Sequence, residues 1–360
     1  MGKGFISENN ILTCLIYLPT GLDSLMGVEV RQTLERHFDI QMTMKDVRLL
    51  TVNKMRELTS GDAPEESEKG KIIEETEAYL PEIGKQSLVQ MNDVKNGQKP
   101  LFIIHNINGT VEPLRILANN LSFPVIGLQY SLTSPKDSIQ SLSASYIKCI
   151  REIIPQGPYR LAGYSFGASV AIEMALQLEK TNEVESLILL DGSHTYVAAH
   201  TVWHRNRLSL QPKGSWEPRA VAEGLSALAL QYAPVDKAKL LEVLQKETTI
   251  DKQIQLTADV ISEANSALAK ESVVRFITSF MALLRMGEEY KPASRLHGNV
   301  HLVRAKTVNE MGRGLGDDLS LREVCSGQLS VSWVEGDHET FLQNESSMEV
   351  ANIVTKALRN

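Results

Sequence analysis

Tyr159-Arg160-Leu161-Ala162-Gly163-Tyr164-Ser165-Phe166-Gly167-Ala168-Ser169-Val170 reads as a short apolar strand that passes through Gly-x-Ser-x-Gly straight into a helical pattern, residues 168–178, with no turn residues between. In this context a serine sits on a sharp strand-to-helix elbow with its hydroxyl raised above a sheet. So tight a turn strains the serine backbone and leaves no room for side chains at 163 and 167, which is why both are glycine. Ser165 is the candidate nucleophile. Taken without its flanks, the same five-residue pattern also describes a turn whose serine merely caps the helix.

Outward from the elbow, apolar runs alternate with helical spacing. Residues 100–105 read as a buried strand, 111–121 as a helix, 123–128 as a strand, 138–154 as a helix, and 186–191 as the strand after the elbow helix. Alternation of this kind implies a parallel sheet with helices on both faces. From about 203 to 290 the strand signal vanishes and helical segments take over, at 217–232, 237–246, 250–269 and 271–286. Strands return at 299–305 and 329–334, and a helix at 348–358 closes the chain. An all-helical insertion ahead of the last strands is expected to lie over the carboxyl edge of the sheet as a lid.

Ligands of a parallel sheet bind where the strands end. Ser165 ends one strand, Asp191 ends the next, and His338 follows the last one in Val334-Glu335-Gly336-Asp337-His338. Ser, then Asp, then His is the chain order of an α/β-hydrolase. In such a set the histidine takes the serine proton and the carboxylate holds the imidazole tautomer. Asp317 and Asp318 also follow a late strand, so position alone leaves the acid open between them and Asp191. A structural histidine paired with the adjacent Asp337 is the other reading of His338. Two backbone N–H groups must face the oxygen that becomes negative. One belongs to Phe166, the residue after the nucleophile, and the other to the loop 106–110, which His105 is expected to support rather than join in catalysis.

The 360 residues suffice for one large core and further pieces, with 42% hydrophobic and 22% charged residues as in an ordinary globular protein. A net charge of -7 gives no reason to propose nucleic acid or an anionic membrane as partner. Three distant cysteines, Cys14, Cys149 and Cys325, suggest neither a disulfide framework nor a zinc site, and a cytoplasmic location is the default. The early apolar run 11–18 is too short to span a bilayer. No repeat or metal motif is evident.

Residues 1–20 carry no interpretable pattern. From Gly21, Leu25, Val28, Leu34 and Phe38 recur at helical spacing, Asp23 stands at the N-cap, and Ser24 falls at the first helical position, where free N–H groups suit a phosphodiester. A capped amphipathic helix with nothing attached fits the same residues. Thr43 caps a second pattern, 44–58, and residues 61–98 read as a solvated linker with a weak helix at 72–79.

Leu22-Asp23-Ser24-Leu25 is similar to the attachment signature of acyl carrier proteins, and residues 21–36 resemble the carrier domain of animal fatty acid synthase. Leu190-Asp191-Gly192-Ser193 with Thr195-Tyr196, Gly298-Asn299-Val300, and residues 302–307 resemble the thioesterase domain of that family, a likeness running from Lys99 to about Asn360. The resemblance implies an unmatched segment 1–20, a partial carrier domain 21–60, a linker 61–98 and a thioesterase domain 99–360. It points to Asp191 as the acid, to the N–H of Ile107 beside that of Phe166, and to phosphopantetheine on Ser24. The implied reaction is hydrolysis of a long-chain acyl thioester, presented on a carrier or coenzyme A, to a free fatty acid. No cofactor is needed for that step, and the remainder of a synthase is the implied partner. The family often has proline where Asn106 stands. A carrier bundle also needs a first helix ahead of the serine, which residues 1–20 do not supply, so Ser24 is expected to be a poor acceptor. Phe276, Phe280 and Leu284, on one helical face, are candidates for an acyl groove. A carrier or interaction module with an inactive hydrolase, and an oxygen-ester esterase or lipase, are the alternative readings.

Overall fold

The computed structural model describes residues 83–207, 216–265, 268–308 and 310–359. Ser24, the partial carrier segment 21–60 and the weak helix at 72–79 lie outside the described residues. The chain divides into two compact units. The described part of one is 216–265 and 268–273, and that of the other is 83–207, 274–308 and 310–359.

The larger unit is built on seven strands: β1 (Leu88–Gln90), β2 (Leu101–Ile104), β3 (Val125–Leu128), β4 (Tyr159–Tyr164), β5 (Val184–Leu190), β6 (Val300–Ala305) and β7 (Leu329–Val334). They lie in the order β1-β3-β2-β4-β5-β6-β7. Only β1 runs antiparallel to its neighbour; every other pair is parallel. This sheet with helices on both faces is the α/β-hydrolase arrangement.

Successive residues of a strand face opposite sides, and the two cores follow from that. Phe102, Ile104, Leu161, Leu187, Leu189 and Leu302 pack on one face with α2 (Ile139–Ile153) and α3 (Phe166–Glu179). Leu101, Ile103, Ala162, Ile188, Leu190 and Val303 pack on the other with α1 (Arg115–Asn119) and the closing helix α9 (Asn344–Ala357). Strands buried on both faces must be apolar at every position, as β2 is.

Three elements differ from the sequence reading. β1 falls inside the stretch taken as linker; its three residues, Leu88-Val89-Gln90, are too few to show a period, and pairing with β3 rather than propensity creates the strand. The helix expected over 111–121 is a 3-10 turn, Glu112–Leu114, followed by the short α1. A helix α4 (Tyr196–Arg207) has no counterpart in the reading.

The smaller unit contains α5 (Pro218–Tyr232) and α6 (Lys237–Gln245), close to the boundaries read from spacing, and α7 (Ile250–Ala264), which ends five residues before the read boundary. Asp236 caps α6 by accepting from the N–H groups of Ala238 and Lys239. α8 (Lys270–Glu289) begins in this unit and continues into the larger one, where Leu283 and Met286 join the core beside α3.

Candidate active site

The β4–α3 elbow holds Ser165 at φ 56° and ψ -118°, a backbone state that side chains avoid. Close packing enforces it. A Cβ on Gly163 would lie 2.2 Å from the carbonyl oxygen of Gly167, and one on Gly167 would lie 2.4 Å from that of His105. The Ser165 N–H donates to the Leu190 carbonyl at 3.0 Å, tying the elbow to the end of β5.

Parallel register brings the other strand ends alongside. Tyr164 pairs with Leu190, and Ala305 with Val334, so the residues after β4, β5 and β7 share one edge. There the Oγ–H of Ser165 reaches Nε2 of His338 at 2.9 Å, and Nδ1–H of His338 donates to Oδ2 of Asp191 at 2.7 Å. The other carboxylate oxygen of Asp191 accepts from Nε of Arg304 at 3.1 Å and from the N–H of Ala305 at 3.2 Å. A carboxylate so nearly buried requires such partners. Arg304 is itself buried, stacks over Trp333 at 4.9 Å, and donates to the carbonyls of Gly316 and Asp317.

Two tyrosines frame the imidazole. Tyr164 donates to the carbonyl of His338 at 2.7 Å. Tyr196 stacks on the ring with centroids 4.9 Å apart, its hydroxyl 3.1 Å from Nδ1. Burial, with Asp191 nearby, raises the Tyr196 phenol well above its usual range and keeps it a neutral hydroxyl. Asp337 does not pair with His338. Its carboxylate accepts from the N–H groups of Glu339 and Thr340 and from the Thr340 hydroxyl, shaping the turn that presents the histidine. Asp318 is occupied with the N–H groups of Ser320 and Arg322, and Asp317 meets Arg304 through its backbone carbonyl, so the carboxylate on His338 is that of Asp191.

The loop after β2 is shaped by Asn106. Its side-chain oxygen accepts from the N–H of Asn108 at 3.1 Å and its carbonyl from Gly109 at 3.0 Å, while Gly109, at φ 81°, accepts from Tyr130. The Asn106 side chain thus supplies a turn where a proline would supply rigidity. The N–H groups of Ile107 and Phe166 make no hydrogen bond among the described residues.

Phe276 is buried against Phe280, with centroids 6.1 Å apart, and Leu284 packs against the core beside α3; all three take part in packing. Arg304, Tyr164 and Tyr196 had no role in the sequence reading. An arginine inside an otherwise apolar strand was the available signal, since such a charge is buried only with a partner. Among the described residues no cluster of side chains could hold a metal ion, and no helix is long and apolar enough to cross a membrane.

Residues 99–358 match the family described as Thioesterase domain. Relatives include a dimodular nonribosomal peptide synthase of Bacillus subtilis (strain 168), 24% identical over 73% of this chain and 10% of that protein. A microperfuranone synthase of Emericella nidulans is 27% identical over 94% of this chain and 35% of its own length. The chain spans a tenth or less of the first curated relatives it matches. Among solved structures, a four-domain nonribosomal peptide synthetase bound to AMP and glycine superposes with a TM-score of 0.57 at 18% identity, over 99% of this chain and 27% of that one. The Vlm2 thioesterase domain, bound with a dodecadepsipeptide, gives 0.50 at 18% identity over 75% and 97%.

Proposed function

The chain belongs to the thioesterase domain family, and from that premise we propose that it hydrolyses carrier-bound acyl thioesters through Ser165, His338 and Asp191. The hydrogen-bonded path from Ser165 Oγ through the imidazole to Asp191 is the observation that carries this reading. His338 takes the hydroxyl proton as Ser165 Oγ attacks the thioester carbonyl. The oxygen, now negative, is met by the N–H groups of Ile107 and Phe166. Collapse expels the thiol, protonated by His338, and leaves an acyl-serine. Water then attacks with His338 again as base, releasing the acid. Side chains and water suffice for these steps.

The acyl group is a long-chain fatty acyl unit and the setting is fatty acid synthesis in the cytoplasm. The likeness of residues 21–36 and 302–307 to animal fatty acid synthase supports this finer reading, and the remainder of such a synthase is the partner it implies. The names of the relatives describe peptide and polyketide synthases. A series of acyl-, peptidyl- and polyketidyl-pantetheine thioesters, with matched oxygen esters, separates the cases. Highest kcat/KM on long fatty acyl thioesters is expected; preference for peptidyl substrates would remove the fatty acid assignment, and preference for oxygen esters the thioesterase reading. Any turnover excludes an inactive hydrolase. Ser24 is the phosphopantetheine site of this reading and a poor acceptor in it. Stoichiometric addition by a pantetheinyl transferase and coenzyme A, read by intact mass, would show it to be a good one.

A further inference from the structure

The two proposed oxyanion donors lie on segments far apart in sequence, the loop after β2 and the start of α3. Each belongs to a peptide unit whose carbonyl is anchored. In a planar trans peptide the C=O and N–H point opposite ways, so holding one directs the other. The Ser165–Phe166 unit is held where the Ser165 carbonyl accepts from Ala168 at 3.0 Å. The Asn106–Ile107 unit is held by its carbonyl, which accepts from the Gly109 N–H at 3.0 Å and from Nδ1 of His105 at 2.5 Å.

His105 touches both segments. Beyond its bond to the Asn106 carbonyl, its ring stacks on that of Phe166 with centroids 5.6 Å apart and planes at 17°. We infer that His105 is a positioning residue: it fixes the Ile107 N–H through the carbonyl of the same peptide and braces the Phe166 side, so one side chain sets the spacing of both donors. The inference rests on the reading of Ser165 as nucleophile.

The chemistry suits a fixed clamp. Donation from Nδ1 needs the neutral tautomer with its lone pair on Nε2, and Nε2 lies 2.9 Å from the Tyr146 hydroxyl, which donates to it. The ring is fully buried, edge-on to Tyr130 and Tyr146 at 6.4 and 6.0 Å. Burial drives the imidazole down to about 4 despite its bond to Asn106, so the tautomer persists at neutral pH. Nothing in this arrangement exposes His105 to substrate, and its effect runs through the backbone it holds.

The test compares the full chain with His105→Phe, His105→Asn and Tyr146→Phe. Two rates are read, hydrolysis of a long-chain acyl-pantetheine thioester and labelling of Ser165 by a fluorophosphonate, which calls on the oxyanion donors but not on thioester turnover. His105→Phe keeps a stacking ring and loses the donor; kcat and the labelling rate should each fall ~10²-fold with KM within roughly threefold. His105→Asn, whose amide N–H stands near the place of Nδ1–H, should return both rates to within roughly tenfold of the parent. A folded His105→Phe chain with kcat within roughly threefold of the parent overturns the inference. So does an Asn variant as impaired as the Phe variant with KM and unfolding temperature moving in step, which is the mark of packing alone. Where His105→Phe does not fold, Tyr146→Phe decides: a roughly three- to tenfold fall in kcat at constant KM supports the clamp, and no change removes it. A parent that is labelled at Ser165 but hydrolyses no acyl thioester contradicts the proposed function, and the labelling rates still judge the clamp.

Discussion

Two histidines stand at carboxyl ends of strands in one sheet, and they are opposites. His338 follows β7 on a turn, a quarter exposed, with one nitrogen on a hydroxyl and the other on a carboxylate. His105 follows β2 directly with no exposed surface, with one nitrogen on a backbone carbonyl and the other on a phenol. A base must meet the reacting atoms and be free to gain a proton, so it needs access and an anion behind it. A clamp must never change its protonation, and burial without a counter-charge achieves that. The sheet edge fixes where both rings stand; their surroundings decide what each can do.

The sharpest break in this comparison is kinetic. His338→Ala should lower kcat on an acyl thioester by roughly 10⁶-fold, the scale seen when a serine hydrolase loses its base, against the ~10²-fold expected for His105→Phe. Equal losses measured side by side would erase the distinction. The anion behind His338 comes next. Asp191→Asn should lower kcat by ~10⁴-fold, because an amide no longer holds the imidazole tautomer, while Asp317→Asn with Asp318→Asn should change it by less than roughly threefold. The reverse pattern would move the acid to the later loop.

The smallest expected effect is one of stability. The folded His105 titrates at about 4 and an unfolded histidine near 6.5. Between those values the unfolded chain binds a proton that the folded chain does not, so stability falls as pH drops from about 6.5 to about 4 and is whole above that window. The size is about 3 kcal/mol at most. The groups facing the ring, Tyr130 and Tyr146, have phenols raised by burial, the first to about 12, and stay neutral throughout. Buried His194 and half-buried His301 shift in the same sense, so the difference between parent and His105→Asn isolates the contribution. Denaturant unfolding at pH 7 and 4.5 measures it; identical pH dependence in the two chains would show that His105 is not held neutral.

Most of the sheet and the candidates Ser165 and His338 were legible because each signal is local. The elbow needs glycines two residues either side of Ser165, β2 and residues 187–190 of β5 are apolar at successive positions, and Ser165 and His338 each follow a strand. What could not be read depends on distant partners. Position after a strand does not rank Asp191 above Asp317; only the likeness of residues 190–196 to a thioesterase domain does, and β6 then places Arg304 and the Ala305 N–H against the Asp191 carboxylate. The three residues of β1 acquire their structure from β3. Asn106 stands where the family often has proline, and its side chain closes the turn itself. α4 lacks a clean apolar period because its first turn serves the site through Tyr196 as well as the core.

The central claim is that the acyl group passes through Ser165, and one experiment meets it directly. The full chain is mixed with a long-chain acyl-pantetheine thioester, quenched rapidly, and peptide-mapped by mass spectrometry alongside Ser165→Ala. The acyl group should appear on the peptide carrying Ser165, be absent from the variant, and give way to free acid as the acyl-serine decays. Free acid formed by Ser165→Ala at the parent rate, or an acyl group found on a different residue, would contradict the account.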